Sequence, residues 1–212
     1  MSRDGAQGVP RGFFDAWSRF YDAKAPQSLT YRPVHDAVCA EMSRSREPAD
    51  IVDVGCGTGI LAARLAGTYP DARITGVDLS PGMLAKARQR SRSVAWVEAD
   101  AQHLPFENSS FDAVCCTESF HWYPDQHAAL AEFRRVLRGD GALYLAFVNP
   151  ATRAVEWTVN SLTRTAGRPA HWTTAEHLEQ LLDAAGFAVQ HRTKVRRWPP
   201  GITMPTYLTV AV

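Results

Sequence analysis

The sequence predicts an α/β domain: a mostly parallel sheet of seven strands, one of them antiparallel near an edge, with helices on both faces. Two observations predict it. From Ile51 to Val148, short apolar runs of strand length alternate with amphipathic stretches of helix length, the pattern of strands joined through helices. After that, two β-rich runs, Val189 to Trp198 and Thr206 to Val212, follow each other around a Pro-Pro-Gly turn. Consecutive strands of this kind form a hairpin, so one of the pair runs against the rest.

Phe13, Phe14, Trp17, Phe20 and Tyr21 recur at helical spacing, as do Val34, Val38 and Met42, so residues 13–45 are expected to hold two short helices. Ile51 to Val54 is the first strand, and a helix from about Ile60 to Ala66 follows its glycine-rich turn. Arg73 to Asp78 is the second strand. Ser80 and Pro81 then supply a cap and a proline at the first helical position, with Met83, Leu84 and Ala87 on the inward face. Val94 to Glu98 and Phe111 to Thr117 are the third and fourth strands. Leu130, Phe133 and Leu137 mark a helix that turns at Gly139 to Gly141 into a fifth strand ending near Val148. A helix is expected from Ala154 to Thr165. Thr173 with Glu176 reads as a capping box before Leu178, Leu181 and Leu182.

A chain of 212 residues suits one domain, here residues 13–212 after an expected disordered start over Met1 to Gly12. Hydrophobic residues at 45% and charged residues at 21% are ordinary for a globular protein. A formal net charge of +1 gives no excess for gripping phosphates, so no nucleic acid partner is expected. The four cysteines, Cys39, Cys56, Cys115 and Cys116, show no metal-ligand or disulfide spacing. No apolar run approaches the ~18 residues of a membrane span, and the start is not signal-like. A reduced, cytoplasmic protein without a metal is the expectation.

The strongest chemical signal is Asp53-Val54-Gly55-Cys56-Gly57-Thr58-Gly59, between the first strand and its helix. Glycines here let a ligand approach main-chain N–H groups at a helix N-terminus. A nicotinamide dinucleotide loop wants its third glycine three residues after the second, where this chain has Ile60. Asp53 would repel a pyrophosphate and suits a ligand bearing an ammonium group. Asp78 closes the second strand, where a carboxylate can accept from both ribose hydroxyls. Asp100, followed by Ala101, can accept from an adenine amine while the next N–H donates to the ring.

An ammonium partner, a ribose partner and an adenine partner at three successive strand ends resemble the class I S-adenosylmethionine-dependent methyltransferases, which have a Rossmann-like fold. The resemblance spans roughly Ile51 to Val148 and is nearest the small-molecule branch that includes the ubiquinone and menaquinone biosynthesis enzymes. It continues through Leu104-Pro105-Phe106 and Ser110-Phe111-Asp112-Ala113-Val114, then Phe133 to Gly141, where Asp140 replaces one residue of the usual turn. It implies S-adenosyl-L-methionine as cofactor and S-adenosyl-L-homocysteine as product. The implied cofactor contacts are Asp53, Gly55, Gly57, Asp78, Leu79, Asp100, Ala101 and Thr117, with Tyr21 closing over from the N-terminal helix.

Glu118 and His121 are the titratable pair just past the fourth strand, beside the expected methyl group. His121 is read as a general base and Glu118 as the group that orients it; packing of His121 on Trp122 is the bland alternative. Trp122, Tyr123, Trp157, His171 and Trp172 are candidates for an acceptor pocket, and Asn149 to Trp172 for a lid. The expected reaction is O-methylation of a hydroxylated metabolite, lipid precursor or sugar, with C- or N-methylation as the alternative. A nicotinamide-dependent oxidoreductase is the rival reading, disfavoured by Ile60 and by the lack of a Tyr-x-x-x-Lys pair after Tyr144.

Overall fold

The structure is a computed structural model that describes residues 31–45, 47–167, 169–196 and 204–212. The expected disordered start, the aromatic helix carrying Tyr21 and the Pro-Pro-Gly turn lie outside the described residues. Helix α1 (Arg32–Met42) buries Val34, Val38 and Met42, the stripe its spacing predicts. Then come β1 (Asp50–Val54), α2 (Ile60–Thr68), β2 (Arg73–Asp78), α3 (Pro81–Arg90), β3 (Ala95–Glu98) and β4 (Phe111–Thr117). The second half holds α4 (Gln126–Val136), β5 (Leu137–Val148), α5 (Arg153–Thr165), α6 (Ala175–Ala184), β6 (Val189–Val195) and β7 (Thr206–Ala211).

The seven strands form one sheet in the order β3-β2-β1-β4-β5-β7-β6, parallel except for β7, which runs against both its neighbours. Strand β1 is buried at every position because helices cover both faces of the sheet at its centre. On one face Val52, Val54, Val114, Leu143 and Phe147 pack with Leu130, Phe133, Leu178 and Leu182 of α4 and α6. On the other, Ile51, Ile74, Cys115 and Leu208 pack with Val38, Met42, Leu61 and Leu65 of α1 and α2. The order reverses at β1 and β4, and in sheets of this kind the crevice beyond the strands' carboxyl ends there is where ligands bind.

The opposite, amino ends of the strands are tied down by charge. Asp112 Oδ2 accepts from the N–H groups of Ala49 and Asp50 at 2.8 and 2.9 Å. Arg138 bridges Asp112 and Asp50 at 2.7 and 2.9 Å, which sets β1, β4 and β5 in register. Ser80 caps α3 as its sequence predicts, accepting from Met83 N at 3.1 Å. The cap of α6 differs by one residue: Thr174, not Thr173, accepts from His177 N, at 3.2 Å. Either threonine could cap, and a tertiary bond decides, because Glu156 Oε2 takes Thr174 N at 2.8 Å and pins the helix start there.

Candidate active site

The β1–α2 loop leaves the sheet through Gly55, Gly57 and Gly59, all at positive φ. Gly55 N and Cys56 N both donate to Val77 O, at 2.8 and 2.9 Å, which folds the loop over the end of β2. At Gly55 two constraints coincide. Its φ is +72°, and a Cβ there would collide with Ser119 Oγ and come within 2.8 Å of Tyr123 Oη. Gly59 is likewise pressed by the Trp96 ring from β3, which a Cβ there would meet.

A cavity opens along the carboxyl ends of β3, β2, β1 and β4. At β2, Asp78 Oδ2 accepts from Gly57 N at 2.8 Å and Oδ1 from Ser80 N at 2.9 Å, so two main-chain bonds hold this carboxylate at the cavity wall. At β3, Asp100 and the buried Ala101 line the cavity beside Ala99 and Leu79. Two carboxylates set in apolar walls fit an adenosine: hydroxyls for one, a ring amine for the other, and a flat ring against alanine and leucine. Gly55, Asp78, Leu79, Asp100 and Ala101 thus meet in one cavity as expected.

Asp53 lies beneath that wall, 1% exposed. Neither carboxyl oxygen reaches a hydrogen-bond partner. Burial, then the charge of Asp78, push its pKa up to about 7. A cation brought near would find an acid with no competing bond. Gly57 contributes its N–H to Asp78, and Thr117 ends β4 paired with Ala146; neither lines the cavity.

The β4 end holds the departures from expectation. Phe120–Trp122 is a single 3₁₀ turn. Successive side chains in such a turn point roughly 120° apart. Trp122 faces the cavity, and His121 does not. The His121 ring is 3% exposed and stacks on Trp172, with centroids 3.7 Å apart and planes at 11°. Glu118 has a positive φ of 54° and its N–H donates to Ala146 O at 2.7 Å; it also stands outside the cavity lining. Tyr123, expected on the acceptor side, instead shares the cavity with the adenosine-side residues. Its hydroxyl lies 3.0 Å from Ser119 Oγ and donates to Val54 O at 3.3 Å. Burial, then Cys116, keep its pKa well above the usual phenol range.

The described residues of 149–172 fold as α5 and a strap. The strap crosses the 3₁₀ turn, with His171 N donating to His121 O at 2.6 Å and Gln126 Nε2 donating to His171 O at 2.7 Å. His171 is held below the usual imidazole range by burial, then by Arg164. Trp172 and His171 thus roof the turn, while Trp157 stands 73% exposed on α5. The sequence reading missed Val54, Ala99, Gln102, Ser119 and Pro124, all of which line the cavity. Ser119 and Pro124 carry no motif, but the chain around Trp122 had already been singled out. Among the described residues no group of three His, Cys, Asp or Glu could hold a metal ion.

Residues 52–145 match the methyltransferase domain family. The malonyl-[acyl-carrier protein] O-methyltransferase of Geobacter sulfurreducens is 40% identical over 145 residues, covering 67% of this chain and 54% of that protein. The demethylmenaquinone methyltransferase of Chlorobaculum tepidum is 39% identical over 105 residues, 50% of this chain and 43% of that one. The chain spans about half the length of the curated relatives it matches. In fold it is similar to a SAM-dependent methyltransferase of Thermotoga maritima, with a TM-score of 0.69, 22% identity, and 95% and 96% of the two chains covered. Over residues 52–145 the chain thus carries a methyltransferase domain.

Proposed function

We propose that this chain methylates an oxygen of a small-molecule or carrier-bound acceptor, and that the oxygen is one already ionised at neutral pH, a carboxylate foremost. The observation that carries the reading is the neutrality of the cavity's β4 end. Ser119, Trp122 and the high-pKa phenol of Tyr123 stand there, and the His121 ring is turned away under Trp172. When bound, S-adenosylmethionine supplies a methyl group on a sulfonium, which a nucleophile accepts without redox chemistry. Asp78 and Asp100 hold the adenosine half, and Asp53 answers the positive amino end from below. Trp122 and Tyr123 exclude water and fix the approach of the acceptor, which is where positioning acts on the barrier. A carboxylate, with an ordinary pKa near ~4, has no proton to lose, so no base is required. The activity named for the Geobacter relative, O-methylation of a carrier-bound malonyl group, supports the same choice.

A second reading keeps a hydroxyl acceptor, with His121 as base and Glu118 orienting it. The place of His121 beside Trp122 in one turn favours it, if the strap that carries Trp172 opens. In both readings Asn149 to Trp172 acts as the lid, His171 and Trp172 border the acceptor, and the protein works in the cytoplasm, where its four cysteines stay free thiols. Trp157 has no part in either.

The test uses radiolabelled S-adenosylmethionine with matched panels of carboxylic acids, including a malonyl thioester, and alcohols. Label that mild alkali releases as methanol marks an ester and supports the first reading. Label that resists alkali marks an ether, and loss of turnover by ~10²–10⁴-fold in His121→Ala would then establish the base.

A further inference from the structure

Gln102 bonds both walls of the cavity. On the β3 side its backbone N–H donates to Asp100 Oδ1 at 2.9 Å, and its side-chain Nε2 donates to Oδ1 and Oδ2 at 3.0 and 3.2 Å. On the β4 side its Oε1 accepts from Asp125 N at 2.9 Å. Asp125 caps α4 through Ala128 N and follows Pro124, a lining residue of the far wall. The partners settle which way the amide points. Flipped, its oxygen would face a carboxylate and its NH₂ would face an N–H, so both contacts would turn repulsive.

We propose that Gln102 is a positioning residue for adenine recognition, acting through Asp100. The inference rests on the adenosine half of the cofactor lying in this cavity. A carboxylate offers about four acceptor sites. Gln102 occupies three of those on Asp100, both on Oδ1 and one on Oδ2. What remains suits a single N–H, which is what a purine 6-amine brings. A purine with an oxo group at that position brings a lone pair and is repelled. Without Gln102 the carboxylate can rotate and take water, and its preference for the amine weakens. The Asp125 bond adds a second effect, because it fixes how far the Trp122–Pro124 wall stands from Asp100.

Calorimetry on the full chain tests this with two ligands, S-adenosylhomocysteine and its 6-oxo analogue S-inosylhomocysteine. The wild type should prefer the adenosyl form by at least about 10-fold, as expected for a site built to take a donor. Gln102→Leu keeps the bulk and removes the bonds, and should shrink that preference at least about 5-fold; Gln102→Ala should do the same. The ratio is measured within one protein, so a general loss of affinity leaves it unmoved. An unchanged ratio in variants that melt like the wild type would overturn the proposal. So would tighter adenosyl binding by Gln102→Leu, which would make the amide a competitor. In the wild type alone, the Gln102 side-chain NH₂ resonances should shift with the adenosyl ligand and much less with the inosyl one. Equal shifts would count against the proposal too. If the wild type binds neither ligand, it is the cofactor reading that has failed.

Discussion

At the scale of single residues, Asp53 makes the sharpest statement about pH. Its pKa is about 7 in the fold, against 3.8 as the ordinary value. The native state therefore holds this proton more tightly than the unfolded chain does. Stability is fully present below about pH 4 and is lost as pH rises through 7, by at most ~4 kcal/mol at ~1.4 kcal/mol per unit. Asp53→Asn should lose much of that pH dependence, so melting curves from pH 5 to 8 should converge at low pH and separate at high pH. Parallel curves would mean Asp53 does not titrate there. Cofactor binding should release this proton, visible as a buffer-dependent heat. Asp78→Ala, losing hydrogen bonds worth ~1.5–3 kcal/mol, should weaken S-adenosylhomocysteine ~10- to 100-fold. An affinity within twofold of wild type would leave Asp78 as only a support for Gly57 and Ser80. Asp78, Asp100 and Ala101 were legible in the sequence because each sits at a strand end, where local pattern fixes position. His121 was not, because the direction of its ring depends on a 3₁₀ turn that four residues of sequence do not announce.

Among the elements, α5 is laid against its apparent amphipathicity. Its inward face is Glu156, Asn160 and Thr163: Glu156 accepts from Thr174 N at the α6 cap, while Asn160 bonds Trp172 N and O and Thr163 bonds Ala170 N in the strap. Its large apolar residues, Trp157 and Leu162, are 73% and 63% exposed. The helix expected from Ala154 to Thr165 is present over Arg153–Thr165, with its polar side inward. Polar anchors make helix and strap a single unit. Asn160→Ala should raise the acceptor KM several-fold, with cofactor Kd changed less than about twofold and stability lowered by ~1–2 kcal/mol. Equal changes in both constants would remove the lid role. Leu162→Ser should stay within about 0.5 kcal/mol of wild type in urea unfolding, as an exposed substitution does.

For the whole molecule, the sheet separates stitching from chemistry: the Asp112–Arg138–Asp50 bridge lies at the amino ends of the strands and the cavity at their carboxyl ends. Arg138→Ala should cost about 1 kcal/mol, modest because the guanidinium is partly exposed, and leave cofactor affinity unchanged. A shifted affinity would show that the two ends of the sheet communicate. The alternation of strands and helices made the sheet readable from sequence, and the terminal hairpin announced the antiparallel strand. Which hairpin strand lies inside follows from composition. Thr206–Ala211 carries no charged side chain and is buried almost throughout, whereas Val189–Val195 carries Gln190, His191, Arg192 and Lys194 and suits an edge. Gln102 and Ser119 stayed invisible, since their partners at Asp125 and Val54 are set by how loops fold back.

The place of β7 between β5 and β6 also imposes an order of assembly during synthesis. β6 leaves the ribosome before β7, yet among the described residues the only strand it pairs with is β7. Until those later residues emerge, β6 has no ladder to join, and the flank of β5 that β7 will cover is an open edge. Nascent chains stalled so that only residues up to Val195 are exposed should be cut readily within β6, and chains exposing Val212 should resist. Equal resistance would mean that β6 finds a temporary partner while the ribosome is still working.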